Sequence, residues 1–335
     1  MKALVTGSAG FIGYFLANTL AEQRDNEIVC VDNFLRGADD DAYRSLVSLP
    51  NVTAFTLDLN DPFQVRQLPD DVDTIFHLAA LNGTQNFYER PFEVLKCCTL
   101  PTINLLEKYG PLGRLQRWVY AGSSEAYADT VSSFDWPVPT DESVPLTIRN
   151  VFNPRWSYGA SKLHGEVATI AGCNRFSIPF TIIRYHNAYG PRMGDKHVIP
   201  DFLTRASQGV YTLYGWEETR SFIYIGDAVR ATIELANAHA AANEIVNVGS
   251  PREIRILELA EMLLRICKID AKVVCQPAPE GSVKRRVPDI AKLVRLTAFR
   301  ERWTLEGGLE LAAHYYINRR DRAVATGGQQ QLRSV

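Results

Sequence analysis

Two patterns of apolar positions alternate along the first two hundred residues. Met1 to Thr6 is a short unbroken apolar run, Phe11 to Ala21 repeats its apolar positions at helical spacing, and Glu27 to Asp32 ("EIVCVD") is a second short run. Short runs predict buried strands, and i, i+3, i+4 spacing predicts helices facing a core. Strand, helix, strand then continues through "VTAFTLDL" (52–59), "DTIFHLAA" (73–80), a helix over 92–109, "RWVYAGSS" (117–124), the helix that follows Ser161, and "FTIIRYHN" (180–187). Such alternation predicts a parallel sheet with helices on both faces. The expected fold is α/β, a Rossmann-type doubly wound parallel sheet with a smaller discontinuous C-terminal substrate-binding lobe.

After Asn187 the texture changes. Residues 190–220 are rich in Gly, aromatic residues and charge, whereas "SFIYI" (221–225) and "EIVNVG" (244–249) return to strand-like patterning and are expected at the edge of the first sheet. An amphipathic helix in "ILELAEMLLRICK" and an Arg-rich turn in "SVKRRVPDI" then suggest the second lobe. The expected division is 1–186 with 222–250 for the Rossmann-type domain and 187–221 with 251–320 for the other lobe. The Gly/Gln-rich end, 321–335, is expected to fray.

Composition narrows the possible functions. With 335 residues, 46% of them apolar, the chain can bury sizeable cores. A formal charge of -2 lacks the basic surplus that phosphate-backbone binding uses, so nucleic acid is not an expected partner. Glycines interrupt the apolar N-terminus well short of a membrane span, and no membrane association is expected. Six cysteines at 30, 97, 98, 173, 267 and 275 form no C-x-x-C pair, and no His stands at ligand spacing. A metal site is therefore not expected, and reduced thiols fit a cytoplasmic protein.

The candidate chemistry starts between the first strand and first helix. There "TGSAGFIG" spaces Gly7, Gly10 and Gly13 three apart, as a dinucleotide turn requires: a tight bend, close backbone approach to a pyrophosphate, and close helix packing. Asp32, nineteen residues after Gly13 at the end of the second strand, can accept hydrogen bonds from an adenosine ribose and would repel a 2'-phosphate, which favours NAD over NADP. Arg36 keeps the alternative open, because an Arg can receive that phosphate. Asp58, at the end of the third strand, is placed to meet the adenine amino group. Tyr158 and Lys162 are four apart, on one face of a helix. An ammonium held near a phenol would bring its pKa down from about 10 towards neutrality and make it a base.

Taken together, "TGSAGFIG", "VDN", "LDLND", "HLAA", "GSSEAY", "YGASK", "RYHNAYGP", "TRSFIYIGDAV" and "RRVPDI" resemble the extended short-chain dehydrogenases. Within these, they are most similar to NAD-dependent epimerase/dehydratase enzymes acting on nucleotide sugars. The resemblance spans Lys2 to about Arg320 and implies transient oxidation at sugar C4, a rearrangement, and return of the hydride. It implies catalytic roles for Ser123, Tyr158 and Lys162. For the cofactor it implies Gly7, Gly10, Phe11, Ile12, Gly13, Asp32, Asn33, Asp58, Leu59, Leu78, Ala79, Ala80 and Tyr185, with His77 structural. For a nucleoside-diphosphate sugar it implies Ser123 and Asn187, an Arg220–Arg286 diphosphate clamp, and a base pocket of Val198, Ile199, Thr212 and Tyr214. A homodimer through a four-helix interface is implied as well.

Glu125 sets this chain apart from simple 4-epimerases, which carry a small neutral residue at the corresponding position. A carboxylate there resembles dehydratases and uronate decarboxylases and would move a second proton. "NPRWSY" likewise resembles the uronate decarboxylase branch in placing Arg155 and Trp156 before the Tyr. Ser124 stands where dehydratases carry Asp, Cys98 where Asn is usual, and Pro101 where Gly is usual; residues 129–150 have no recognisable counterpart.

Overall fold

The computed structural model describes residues 1–278 and 282–317. Its central sheet has seven strands: β1 (Lys2–Thr6), β2 (Glu27–Asp32), β3 (Val52–Thr56), β4 (Thr74–His77), β5 (Arg117–Ser123), β6 (Phe180–Tyr185) and β7 (Glu244–Val248). They lie in the order β7-β6-β5-β4-β1-β2-β3, with every pairing parallel. The chain builds outward from β1 to β3, then crosses back to place β4 on the other side of β1. Sheets of this kind take ligands at the carboxyl ends of the strands where that reversal occurs.

Helices cover both faces, which is why the strands read as unbroken apolar runs. Helices α1 (Phe11–Ala21) and α4 (Ile225–Asn237) close one face, where Leu16, Ile28, Phe76 and Leu235 share a core. Helices α2 (Pro91–Tyr109) and α3 (Ser157–Phe176) close the other, over Leu105, Trp118, Cys173 and Ile182. Each buried Leu or Ile contributes about 1.5–3 kcal/mol relative to exposure.

Several expected elements differ in extent. The fourth strand stops at His77 because the Leu78 and Ala79 N–H groups donate to Thr6 Oγ1, at 3.1 Å each, instead of extending the ladder. "SFIYI" does not return to the central sheet. Only Ile223–Tyr224 is extended there, pairing with Ala188–Tyr189, and Ile225 already begins α4. "EIVNVG" does form the sheet edge, as β7.

A third core, including Ile199, Phe202, Leu213, Leu259, Leu263 and Leu309, lies beneath the helices Val198–Ala206 and Ile256–Ile266. Beside it Arg285–Arg286, expected in a turn, forms a strand parallel to Thr219–Arg220. The expected fraying of 321–335 lies outside the described residues. Among those residues no helix is long and apolar enough to cross a membrane.

Candidate active site

The glycine turn joins β1 to α1 with little room to spare. Gly7 has φ +69°, and its N–H donates to Val31 O at 2.8 Å. A Cβ at Gly13 would lie 2.1 Å from Gly7 O, and one at Gly7 would lie 2.9 Å from Ala79 N. The turn therefore requires glycine and leaves bare backbone facing a cleft of about 1510 Å³. The first turn of α1 opens onto it, which suits a phosphate group.

Around this cleft the structure gathers Gly7, Gly10, Phe11, Ile12, Gly13, Asp32, Asn33, Asp58, Leu59, Leu78, Ala79, Ala80 and Tyr185. Asp32 Oδ2 accepts from Ala9 N at 2.9 Å and Oδ1 from Phe34 N at 2.8 Å, fixing the carboxylate at the end of β2. Burial raises its pKa, and the surrounding N–H groups pull it back. His77 is a structural residue: its ring lies between Thr6 Oγ1 (2.8 Å) and Thr102 Oγ1 (3.0 Å), and burial lowers its pKa to about 3. Arg36 reaches across the cleft to His197 Nε2 at 3.3 Å.

Farther along the same cleft stand Ser123, Glu125, Tyr158 and Lys162. Ser123 ends β5 and caps the short turn that follows, its Oγ accepting from Glu125 N at 3.2 Å. Tyr158 and Lys162 project from the first two turns of α3. The Tyr158 ring is buried and stacked on Phe87, with centroids 5.0 Å apart and planes at 12°. Lys162 Nζ donates to Ala121 O at 2.7 Å, above the Tyr120 ring and 5.7 Å from the Tyr158 centroid. The expected lowering of the Tyr158 pKa is not what this arrangement produces. Burial pushes it well up, and Arg36 and a hydrogen bond with Ser123 only partly oppose that. Burial also lowers the pKa of Lys162, whose ammonium is engaged with the carbonyl.

Glu125 lies between two guanidinium groups. Arg286 Nη1 donates to Oε1 at 2.6 Å and Arg155 Nη2 to Oε2 at 2.8 Å. Burial would raise its pKa, but the charges of Arg286 and Arg155, with their hydrogen bonds, hold it at about 2. Arg155 in turn lies over Phe87, 5.5 Å from the ring centroid, so the Tyr158 stack and the Glu125 cluster share one side chain. Arg155 Nη1 and Arg286 Nε are buried without a partner among the described residues.

The remaining substrate candidates separate. Asn187, Val198 and Arg286 line the cleft, whereas Ile199, Thr212, Tyr214 and Arg220 do not. Ile199 is wholly buried in the third core. Thr212 and Tyr214 sit on a short strand paired with Val274–Gln276, and Tyr214 is largely exposed. Arg220 donates to Glu218 Oε2 at 2.8 Å and to Thr219 O, so its guanidinium is engaged by neighbouring residues of its own chain segment, although the charges of Arg286 and Glu125 still reach it. Helical spacing and family order gave no warning of this, because each depends on how the second lobe folds back.

Residues 3–249 match the NAD dependent epimerase/dehydratase family. The chain belongs to that family. Among its relatives is a UDP-N-acetyl-alpha-D-glucosaminuronate decarboxylase of Bacillus cytotoxicus, 32% identical over 94% of this chain and 97% of the relative. UDP-glucuronic acid decarboxylase 1 of Xenopus tropicalis is 29% identical over 94% of this chain and 72% of its own. A crystal structure of UDP-glucuronic acid 4-epimerase from Bacillus cereus, in complex with UDP-glucuronic acid and NAD, superposes with a TM-score of 0.85. It is 25% identical and covers 95% of this chain and 99% of that one.

This epimerase/dehydratase-family enzyme is NAD-dependent, and the bare glycine cradle fits the dinucleotide. Arg155, Phe87, Arg192 and His197 were not singled out as site residues in the sequence. Of these only Arg155 left a trace there, in "NPRWSY". A carboxylate held at the end of β2, as Asp32 is, would repel a 2'-phosphate, so NAD is expected to bind with clear preference over NADP. Titration of the cofactor-free enzyme with both dinucleotides checks this; equal affinity would assign control to Arg36.

Proposed function

We propose that the enzyme oxidises C4 of a UDP-linked uronic acid and releases the sugar carboxylate as carbon dioxide before the hydride returns. The observation that carries this reading is the Arg155–Glu125–Arg286 cluster beside Ser123 and Tyr158, in which the cleft-lining Arg286 keeps an N–H without a partner for a second carboxylate. Guanidinium is the side chain best matched to a carboxylate. The decarboxylases among the relatives support the same reading.

NAD, when bound, supplies the hydride acceptor and gives the hydride back. Ser123 holds the C4 hydroxyl, and Tyr158, with Lys162 near its ring, takes the hydroxyl proton. The resulting C4 ketone is β to the C6 carboxylate. The C5–C6 bond then breaks, carbon dioxide leaves, its bonding electrons pass to the enolate over C5, C4 and oxygen, and a proton is delivered to C5. Glu125 is the residue placed to move that proton. Asn187 meets the sugar diphosphate and Val198 the nucleotide base, from residues 187–221 and 251–320, which act as the substrate lobe, while 1–186 with 222–250 act as the cofactor domain.

Incubating the purified enzyme with UDP-uronates and neutral UDP-sugars and weighing the products tests this. Loss of carbon dioxide from a uronate is the expected result. An unchanged mass with altered retention would mean epimerisation, and loss of water dehydration.

The enzyme is also expected to be a homodimer through α2 and α3. Phe92, Leu95 and Leu100 on α2 and Val167 on α3 are exposed apolar residues that a partner's helices would cover. Light scattering should give twice the 37.5 kDa chain mass; a monomer at micromolar concentration would refute the interface.

A further inference from the structure

Two loops on opposite rims of the cofactor cleft are tied together. Residues 36–40 follow β2, and residues 191–197 follow β6; both line the cleft. Arg192 Nε donates to Asp40 Oδ2 and Nη2 to Asp40 Oδ1, at 2.9 Å each. The same guanidinium lies 4.0 Å from the ring centroid of Tyr14, on the first turn of α1 just past the glycine cradle. Its side chain is 6% exposed, against 35% for Asp40. Arg192 also has φ +62°, a left-handed conformation uncommon outside glycine, so the chain is bent to aim this side chain. The Arg36–His197 contact joins the same two rims.

We propose that the Arg192–Asp40 pair is a clasp that closes the cleft over bound NAD and retains the cofactor through the catalytic cycle. The inference rests on the NAD-dependent, redox-neutral reading above. A reaction that oxidises a sugar and then reduces the same sugar has no use for cofactor exchange, since a dinucleotide lost between the two hydride transfers would strand the keto sugar. A dehydrogenase with net turnover must release its cofactor every cycle, and a pair joining the rims would slow it. The bidentate geometry fixes the loops in one relative position as well as attracting them. Stacking on Tyr14 ties that position to the helix whose first turn faces the phosphates.

The test is NAD release from the holoenzyme. Enzyme loaded with radiolabelled NAD is diluted into excess unlabelled NAD, and retained label is followed. Asp40→Asn removes the charge but keeps an oxygen able to cap the helix Asp41–Val47, which Asp40 now caps through Tyr43 N. Asp40→Asn and Arg192→Gln are each expected to release label about tenfold faster or more, which corresponds to ~1.4 kcal/mol. Release from the wild type should also quicken with salt, because Asp40 is partly exposed. Arg252→Gln, which cuts the surface pair with Glu306, should release like wild type.

Release within about twofold of wild type from folded Asp40→Asn and Arg192→Gln overturns the clasp; should Arg192→Gln not fold, Asp40→Asn alone decides. A wild type that carries no NAD as purified and takes up no label would instead overturn the NAD reading on which the clasp rests. The two failures are separate readouts.

Discussion

Tyr158→Phe is expected to lower kcat by about 10²- to 10⁴-fold, the usual contribution of a positioned acid or base, while NAD content and thermal stability stay near wild type. Phe preserves the ring that stacks on Phe87 and the packing with Leu81 and Cys98, so only the hydroxyl is lost. Burial raises the Tyr158 pKa, and the base form predominates only above that pKa. Turnover of the wild type should therefore rise with pH from neutrality into the alkaline range. Lys162→Met should shift that limb to still higher pH, since it removes a positive charge near the ring. If Tyr158→Phe turns over within tenfold of wild type, another group starts the reaction, and the Ser123–Tyr158–Lys162 reading fails.

The parts legible in the sequence were those set by local physics. Buried parallel strands must be apolar on both faces, so β2 and α1 could be bounded to the residue from pattern alone, and β1 to within one residue at its start. The glycine turn was legible because its crowding excludes other residues, and Tyr158 with Lys162 because four residues make one turn and a fraction of α3. What was not legible depends on pairs far apart in the chain. Arg192 and Asp40 are separated by 152 positions, and Glu125 and Arg286 by 161, with no local pattern announcing either contact. The phenol pKa went the wrong way for a related reason. Spacing shows that Lys162 is near Tyr158, but not that its ammonium donates to Ala121 O or that the ring is buried against Phe87.

Glu125→Gln is expected to change both stability and chemistry, and the two effects can be separated. In the wild type the carboxylate neutralises two nearly buried guanidinium groups; removing its charge leaves them facing each other, at a cost of about 3–5 kcal/mol. The pH dependence has a definite sign. The folded pKa of about 2 lies below the ordinary 4.5, so this stabilisation is fully present above about pH 4.5 and is lost as pH falls towards 2. By linkage it amounts to about 3 kcal/mol, and the Gln variant should lack that acid limb.

A carboxylate held so low is a weak base at neutral pH, so Glu125 can move a proton only when its arginines are drawn elsewhere. A uronate carboxylate entering from the cleft beside Arg286 would do that, coupling substrate recognition to the rise of the Glu125 pKa. In Glu125→Gln, C4 oxidation should then proceed while the later step slows by about 10²- to 10⁴-fold, and reduced nicotinamide should accumulate in a single turnover. Combining it with Arg155→Gln removes one of the two unpaired charges and should recover part of the stability by double-mutant logic, with the accumulation persisting. If the single variant turns over like wild type, Glu125 serves only to pair the arginines. The Ser123–Tyr158–Lys162 set would then carry the chemistry alone, as in a plain 4-epimerase.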